Sequence, residues 1–379
     1  MSSFSTNILI LGKTGAGKAS LVNYLYSQEI AVSRSQRPAA AKGLHYHKPF
    51  AYKDMNIVIW DTWGLEADKA QEWWTDVRDS LSQQSGNPDI RDWIHTVIYC
   101  FDAKRSRLDE YEKEHILKPL AAMGYRIIFA LTKWGLCSPE EKEAARQVIF
   151  REFPGFSRIS VESVSQKLRN GSVTRQQGRD RIFREICLNL RENLTYHLLT
   201  QTRIDMAAAV DQAEAASRAY FRENTSFFKA YSEELHERIQ EVVRENYREK
   251  IGAVYERLRS NLTLIDLMCV EVIRGYTGID VSETLKRFYL LVESMNDIKI
   301  HLWDSDFEDY FVSSAMSLLF CGIPRFVQKD AYWEKLQEQL GEISAKLTQD
   351  LESIADTLDQ AENQVTEDLS RILAADSSI

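Results

Sequence analysis

The run Gly12-Lys13-Thr14-Gly15-Ala16-Gly17-Lys18-Ala19 directly follows the apolar stretch Ile8-Leu9-Ile10-Leu11 and opens onto a helical pattern. Strand, glycine-rich loop and helix in that order form a cradle for a phosphate group. Glycines 12, 15 and 17 let the backbone wrap an anion and turn its N–H groups inward. Lys18 adds a charge for the β- and γ-phosphates, and the helix beginning there adds the positive end of its dipole. The pattern is G-x-x-x-x-G-K-[S/T] in all but its last letter, where a hydroxyl normally ligates Mg²⁺ and this chain has Ala19. Ser20 is the nearest substitute, but one step along a helix turns a side chain by about 100°, so it is expected to point elsewhere. Residues 12–20 are therefore the candidate phosphate-binding segment, with the usual metal hydroxyl missing.

Around this loop the chain alternates short β-branched runs with amphipathic stretches. Strands are predicted at Asn7–Leu11, His45–Phe50, Asn56–Trp60, Thr96–Phe101, Ile127–Leu131 and Ser157–Val161. Helices are predicted at Lys18–Tyr26, Trp73–Ser82, Leu108–Met123 and Pro139–Phe153. The last has Ser138 as N-cap, Pro139 in its first turn and Glu141 to close a capping box. Such alternation specifies a largely parallel sheet covered on both faces. Punctuation then thins out: after Pro154 the one remaining proline is Pro324. The expected division is an α/β domain over residues 1–170 and a helical bundle over 171–379. In the last helix, Trp333, Leu336, Leu340, Ile343, Leu347, Leu351, Ile354, Leu358, Ala361, Val365 and Leu369 recur every 3.6 residues or so, the period of a straight stripe. It reads as a helix packed on the protein's own bundle, with a coiled coil to a second chain as the alternative.

Two further segments bear on the loop. Ile57-Val58-Ile59-Trp60-Asp61-Thr62-Trp63-Gly64 is an apolar strand ending in D-x-x-G. Ile127-Ile128-Phe129-Ala130-Leu131-Thr132-Lys133-Trp134-Gly135 is a second apolar strand, ending in T-K-x-G. Residues 7 to about 165 thereby resemble the G domain of the translation-factor-related P-loop GTPases. With the long helical remainder, the layout is similar to dynamin-like and immunity-related GTPases and their bacterial relatives. The resemblance implies an α/β P-loop GTPase domain, its mostly parallel sheet flanked by helices on both faces, followed by an all-α helical domain. It also implies GTP or GDP with Mg²⁺ as ligands. Asp61 would hold the metal through water, Gly64 would meet the γ-phosphate, and Lys18, Asp61 and Gly64 would form the catalytic set. In the base-binding motif, Thr132 and Lys133 are in place, but Gly135 stands where an Asp accepts two hydrogen bonds from guanine. Losing that acceptor is expected to reduce guanine selectivity. Ser160-Val161-Glu162 occupies the place of the last base-contacting loop. Related enzymes also carry a switch threonine, and the segment Arg37–His45 has none; Ala40 is the aligned position. Leu65 replaces the water-orienting Gln of Ras-like enzymes.

With Ala19 and Ala40 both lacking oxygen, the metal site is weakened, and hydrolysis should suffer more than binding, because phosphoryl transfer depends on that ion for positioning and charge neutralisation. The sequence therefore reads as a nucleotide-dependent switch with impaired hydrolysis. Its alternative is a non-catalytic pseudo-GTPase serving as a protein scaffold. The expected partners are a second copy through the GTPase domain or another protein through the helical domain.

A net charge of −9 opposes general nucleic-acid binding. Lys104-Arg105-Ser106-Arg107 reads as a solvated loop. The five cysteines have no C-x-x-C spacing, which fits a reducing compartment without zinc. With no signal peptide expected, the setting is cytoplasmic, with peripheral membrane contact as a variant. The run Phe311–Phe326 is the membrane-tip candidate, weighed against a buried helix. Trp73-Trp74 is either core or a partner-facing patch.

Overall fold

The computed structural model describes residues 4–27, 44–62, 65, 69–105, 107–167, 171–224, 233–285 and 325–376. The apolar runs become β1 (Ser5–Gly12), β4 (Met55–Thr62), β5 (Thr96–Asp102), β6 (Ile127–Thr132) and β7 (Arg158–Ser160), all parallel in the order β4-β1-β5-β6-β7. Register runs Ile8 to Ile59 and Thr96, Phe101 to Leu131, and Leu131 to Ser160. Two short strands, β2 (Leu44–Tyr46) and β3 (Phe50–Tyr52), pair antiparallel with β4 at one edge. The sequence suggests one strand there. His47 N still donates to Ile59 O at 2.9 Å in the β2 register, but Pro49 lacks an N–H for the ladder, and the pairing resumes at Phe50 shifted by one residue.

Helices α1 (Lys18–Tyr26), α2 (Ala70–Ser85) and α5 (Pro139–Glu152) follow the predicted spans within a few residues. The capping box of α5 is formed: Glu141 N donates to Ser138 Oγ at 3.2 Å, and Ser138 N donates to Glu141 Oε2 at 2.7 Å. The helix predicted at Leu108–Met123 is broken into α3 (Glu110–Glu112), a π turn (Lys113–Leu117) and α4 (Lys118–Ala122). Pro119 has no N–H to donate, and its ring crowds the carbonyl four residues back, so the turn before it widens.

On β5, Val97, Tyr99 and Phe101 pack into a cluster with Leu9, Leu11, Trp73, Trp74, Ile116, Leu120, Phe129 and Ile149. Ile98 and Cys100 point the other way and are buried as well, so both faces of the sheet are covered. Trp73 and Trp74 thus belong to the core rather than to a partner patch.

Three long helices complete the described chain: α6 (Arg179–Asn224), α7 (Glu233–Thr277) and α8 (Arg325–Asp376). The chain is an α/β domain followed by an all-helical one. By compactness, the sheet groups with the stretches Met1–Leu198, Leu264–Leu285 and Gln364–Ile379, while Leu199–Thr263 and Lys286–Asn363 form a second unit. Inside the first unit, Arg191 Nε of α6 donates to Asp266 Oδ1 of α7 at 2.9 Å, both residues being buried. The β3–β4 turn is held to the same two helices. Asp54 N donates to Gly275 O at 2.9 Å, and the Tyr52 and Tyr276 hydroxyls each donate to the Asp180 carboxylate at 2.9 Å.

Along α8, Leu351, Ile354, Leu358, Val365 and Leu369 are buried within the single chain, which fits packing on the protein's own helices. The stripe positions from Trp333 to Leu347 have side chains outside the described residues. Residues 311–324 of the apolar run also lie outside them. None of the described helices is long and apolar enough to cross a membrane.

Candidate nucleotide-binding site

Because β1, β4, β5, β6 and β7 are parallel, their carboxyl ends line one edge of the sheet, where open α/β folds receive ligands. Every motif segment that falls within the described residues ends there. Gly12 leaves β1 with φ +139°, and a Cβ added to it would stand 2.6 Å from Cys100 O. Neither the angle nor the space admits another residue. Gly15 and Gly17 follow with φ +77° and +94°, so the loop turns back on itself before α1 begins. The Lys18 ammonium is buried and curls over this loop, donating to Gly12 O at 2.7 Å and Lys13 O at 3.0 Å. Ala19 and Ser20, in the first turn of α1, are half-buried.

The loop is tied sideways to the segment after β4. Thr14 N donates to Leu65 O at 3.1 Å, and Leu65 N approaches Gly12 O at 3.5 Å. Asp61 sits near the end of β4 in register with Ile10 and is 1% exposed. His47 Nε2 lies 3.6 Å from Asp61 Oδ2. Beneath the loop, burial pushes the Cys100 thiol up to about 12, which keeps it protonated at neutral pH. The Lys13 ammonium is directed to the start of α3, where it pairs with Asp109 and, at 2.9 Å, with Glu112 Oε2.

At the other end of the site, the Thr132 hydroxyl lies 2.7 Å from Ala16 O and 3.1 Å from Phe101 O, joining β6 to the glycine loop and to β5. Lys133 adopts φ +56° and donates from Nζ to Asp102 Oδ2 at 2.6 Å. Gly135 lies in a single 3-10 turn, Trp134–Leu136. Val161 N donates to Leu131 O at 2.8 Å and Trp134 N to Val161 O at 3.3 Å, so Ser160 and Val161 flank the end of β6. The space beside Gly135 is occupied: its N–H donates to Glu162 Oε2 at 2.6 Å.

Gly64 and Ala40 lie outside the described residues. The other predicted positions gather along one edge of the sheet. His47 and Asp102 belong to no motif that sequence reading uses, although Asp102 does close an apolar strand, much as Asp61 does on β4. His47 had no comparable signal.

Residues 7–133 match the family model described as 50S ribosome-binding GTPase. No curated protein matches the chain. Among solved structures, it is similar to Toc33 from Arabidopsis thaliana in complex with Mg²⁺ and GMPPNP, at 17% identity over 44% of this chain and 78% of that one, with a TM-score of 0.33. It is also similar to the translation elongation factor SelB from Methanococcus maripaludis in complex with the GTP analogue GppNHp. There the identity is 18% over 43% of this chain and 31% of the other, with a TM-score of 0.31.

Proposed function

We propose that this chain, a P-loop GTPase domain followed by an all-helical domain, is a guanine-nucleotide switch of the dynamin-like type that hydrolyses GTP poorly. The observation that carries the reading is the glycine loop itself. Three glycines at positive φ carry the backbone around an anion-sized turn, and the buried Lys18 ammonium already rests on that turn's carbonyls. A phosphate would take over those donors without any rebuilding of the backbone.

Mg²⁺ prefers oxygen ligands and keeps several of its waters, needing one or two carboxylates plus phosphate. Asp61 is a buried carboxylate at the right edge of the sheet, and Ala19 contributes no oxygen. This donor set fits a metal held through water by Asp61 and directly by the nucleotide. When bound, the ion would neutralise charge on the transferred phosphoryl group. Lys18 would balance the phosphate charge, and Asp61 would orient the metal's water. With the hydroxyl ligand absent, transition-state stabilisation falls further than ground-state affinity. The expected partners are a second copy meeting the GTPase domain or a protein bound by the helical domain, in a cytoplasmic setting.

The test is titration of labelled GTP and ATP, with and without Mg²⁺, into this chain and into Ala19→Ser. Both forms should bind GTP. Ala19→Ser should gain about tenfold in Mg²⁺-dependent affinity, the equivalent of about 1.4 kcal/mol, together with measurable turnover. Binding of nucleotide by neither form would overturn the switch. Tight binding without turnover in Ala19→Ser would favour the scaffold.

A further inference from the structure

We propose that Glu162 supplies the carboxylate that reads the guanine edge, taking over from the aspartate that the base-binding motif lacks at Gly135. This rests on the nucleotide-binding reading above and specifies which base the site prefers and why.

Glu162 stands two residues beyond β7 and is 2% exposed. Its backbone is fixed by a two-way pairing with Gln177, N to O at 3.1 Å and O from N at 3.0 Å. That pairing leaves the side chain directed at the turn after β6, where Oε2 accepts the Gly135 N–H at 2.6 Å. A Cβ on Gly135 would stand 2.7 Å from Glu162 Oε2 and 2.8 Å from Thr174 Cγ2. The volume an aspartate at 135 would need is therefore already filled, and what fills it is another carboxylate. The exchange is reciprocal: glycine at 135 makes the room, and Glu162 returns the lost functional group from the neighbouring strand.

The chemistry is preserved by this exchange. A carboxylate has about four lone-pair sites, and the Gly135 N–H takes one. The rest can accept the N1–H and 2-amino donors of guanine. Adenine presents an acceptor at N1 and no amino group at C2, so a buried carboxylate facing it would be left without a partner. The Lys133–Asp102 pair beside the same turn holds the lysine of the motif at the end of β6.

A Glu162 that only capped the Gly135 turn would leave the base preference unchanged when its outward oxygen is altered, and the test separates the two roles on that readout. Glu162→Gln keeps an oxygen for the Gly135 N–H and replaces the other by an NH₂ donor. That pair complements xanthine, which has a carbonyl at C2, rather than guanine. Affinities for GDP, XDP and ADP are measured by competition against a fluorescent nucleotide on the full chain and on the variant, with a thermal melt to verify folding. The parent should prefer GDP over ADP and XDP by at least about a hundredfold. In Glu162→Gln the GDP–XDP preference should reverse. If that variant fails to fold, Glu162→Asp withdraws the carboxylate by one methylene and should abolish the preference for GDP. A parent that binds GDP and ADP equally, or a folded Glu162→Gln that still prefers GDP, overturns the role of Glu162 and leaves the nucleotide switch standing. Binding of no nucleotide by the parent overturns both.

Discussion

The proposed phosphate end of the site is made of backbone from one short segment, whereas the proposed base end is made of side chains from strands that meet only in the folded sheet. At the first end, Gly12, Gly15 and Gly17 set the path of the chain, and Lys18 follows them within the same nine residues. At the second, Thr132, Lys133, Asp102 and Glu162 come from three strand ends that lie up to 60 positions apart (162 − 102). The difference predicts how each end tolerates change. Backbone geometry is unforgiving at single positions. Side-chain chemistry can be handed from one residue to another, which is the exchange proposed for Gly135 and Glu162.

The largest expected effect is at Gly12. Gly12→Ala sets a Cβ 2.6 Å from a backbone carbonyl at a φ that L-residues avoid, and neither can yield cheaply. A loss of about 3 kcal/mol in folding stability is expected in denaturant melts, with nucleotide binding lost alongside. A stable, nucleotide-binding Gly12→Ala would mean that the loop is not held as tightly as β1 and β5 suggest.

Next comes Thr132→Val, which removes the hydroxyl joining the two ends. It leaves Ala16 O or Phe101 O short of a donor, at a cost of about 1–2 kcal/mol. Because this side chain serves both ends, GDP and ADP affinities should fall together. A loss confined to one base would show that Thr132 acts only on base recognition.

The smallest effect is expected at Gly135, the counterpart of Gly12. Its neighbours under 3.0 Å are a carboxylate tip and a methyl group, and its φ is not in the left-handed region. Gly135→Ala should therefore cost about 1 kcal/mol or less in stability. It should still reduce the preference for GDP by pushing the Glu162 carboxylate aside. Equal damage from Gly12→Ala and Gly135→Ala would erase the contrast between the two ends.

Much of the fold was legible because its signals are local. Apolar runs of five or six residues separated by amphipathic stretches specify buried parallel strands, and Ser138-Pro139 with Glu141 marks a helix start without any tertiary help. The misreadings came from prolines whose effect depends on their surroundings. Pro49 splits the edge strand, and Pro119 opens a π turn inside a helix whose periodicity continues through it. Trp73 and Trp74 could be placed in the core only once α2 was seen to lie against the sheet. In the site, Asp61 and Thr132 were readable as residues ending apolar strands. His47, beside Asp61, was not, because its position depends on how the interrupted edge strand pairs with β4.

From sequence alone, the glycine spacing and Lys18 already commit the chain to a tight glycine loop at a helix start, the cradle proposed for phosphate, since those residues act through their own backbone and immediate neighbours. The same reading shows that Ala19 and Gly135 lack the usual oxygens. What it could not show is that the space beside Gly135 holds a carboxylate after all. That was decided by the parallel pairing of β6 with β7, which brings Glu162 to a turn 27 residues earlier in the chain. A hydrogen-bond acceptor is defined by where it points, and only the assembled sheet sets that direction.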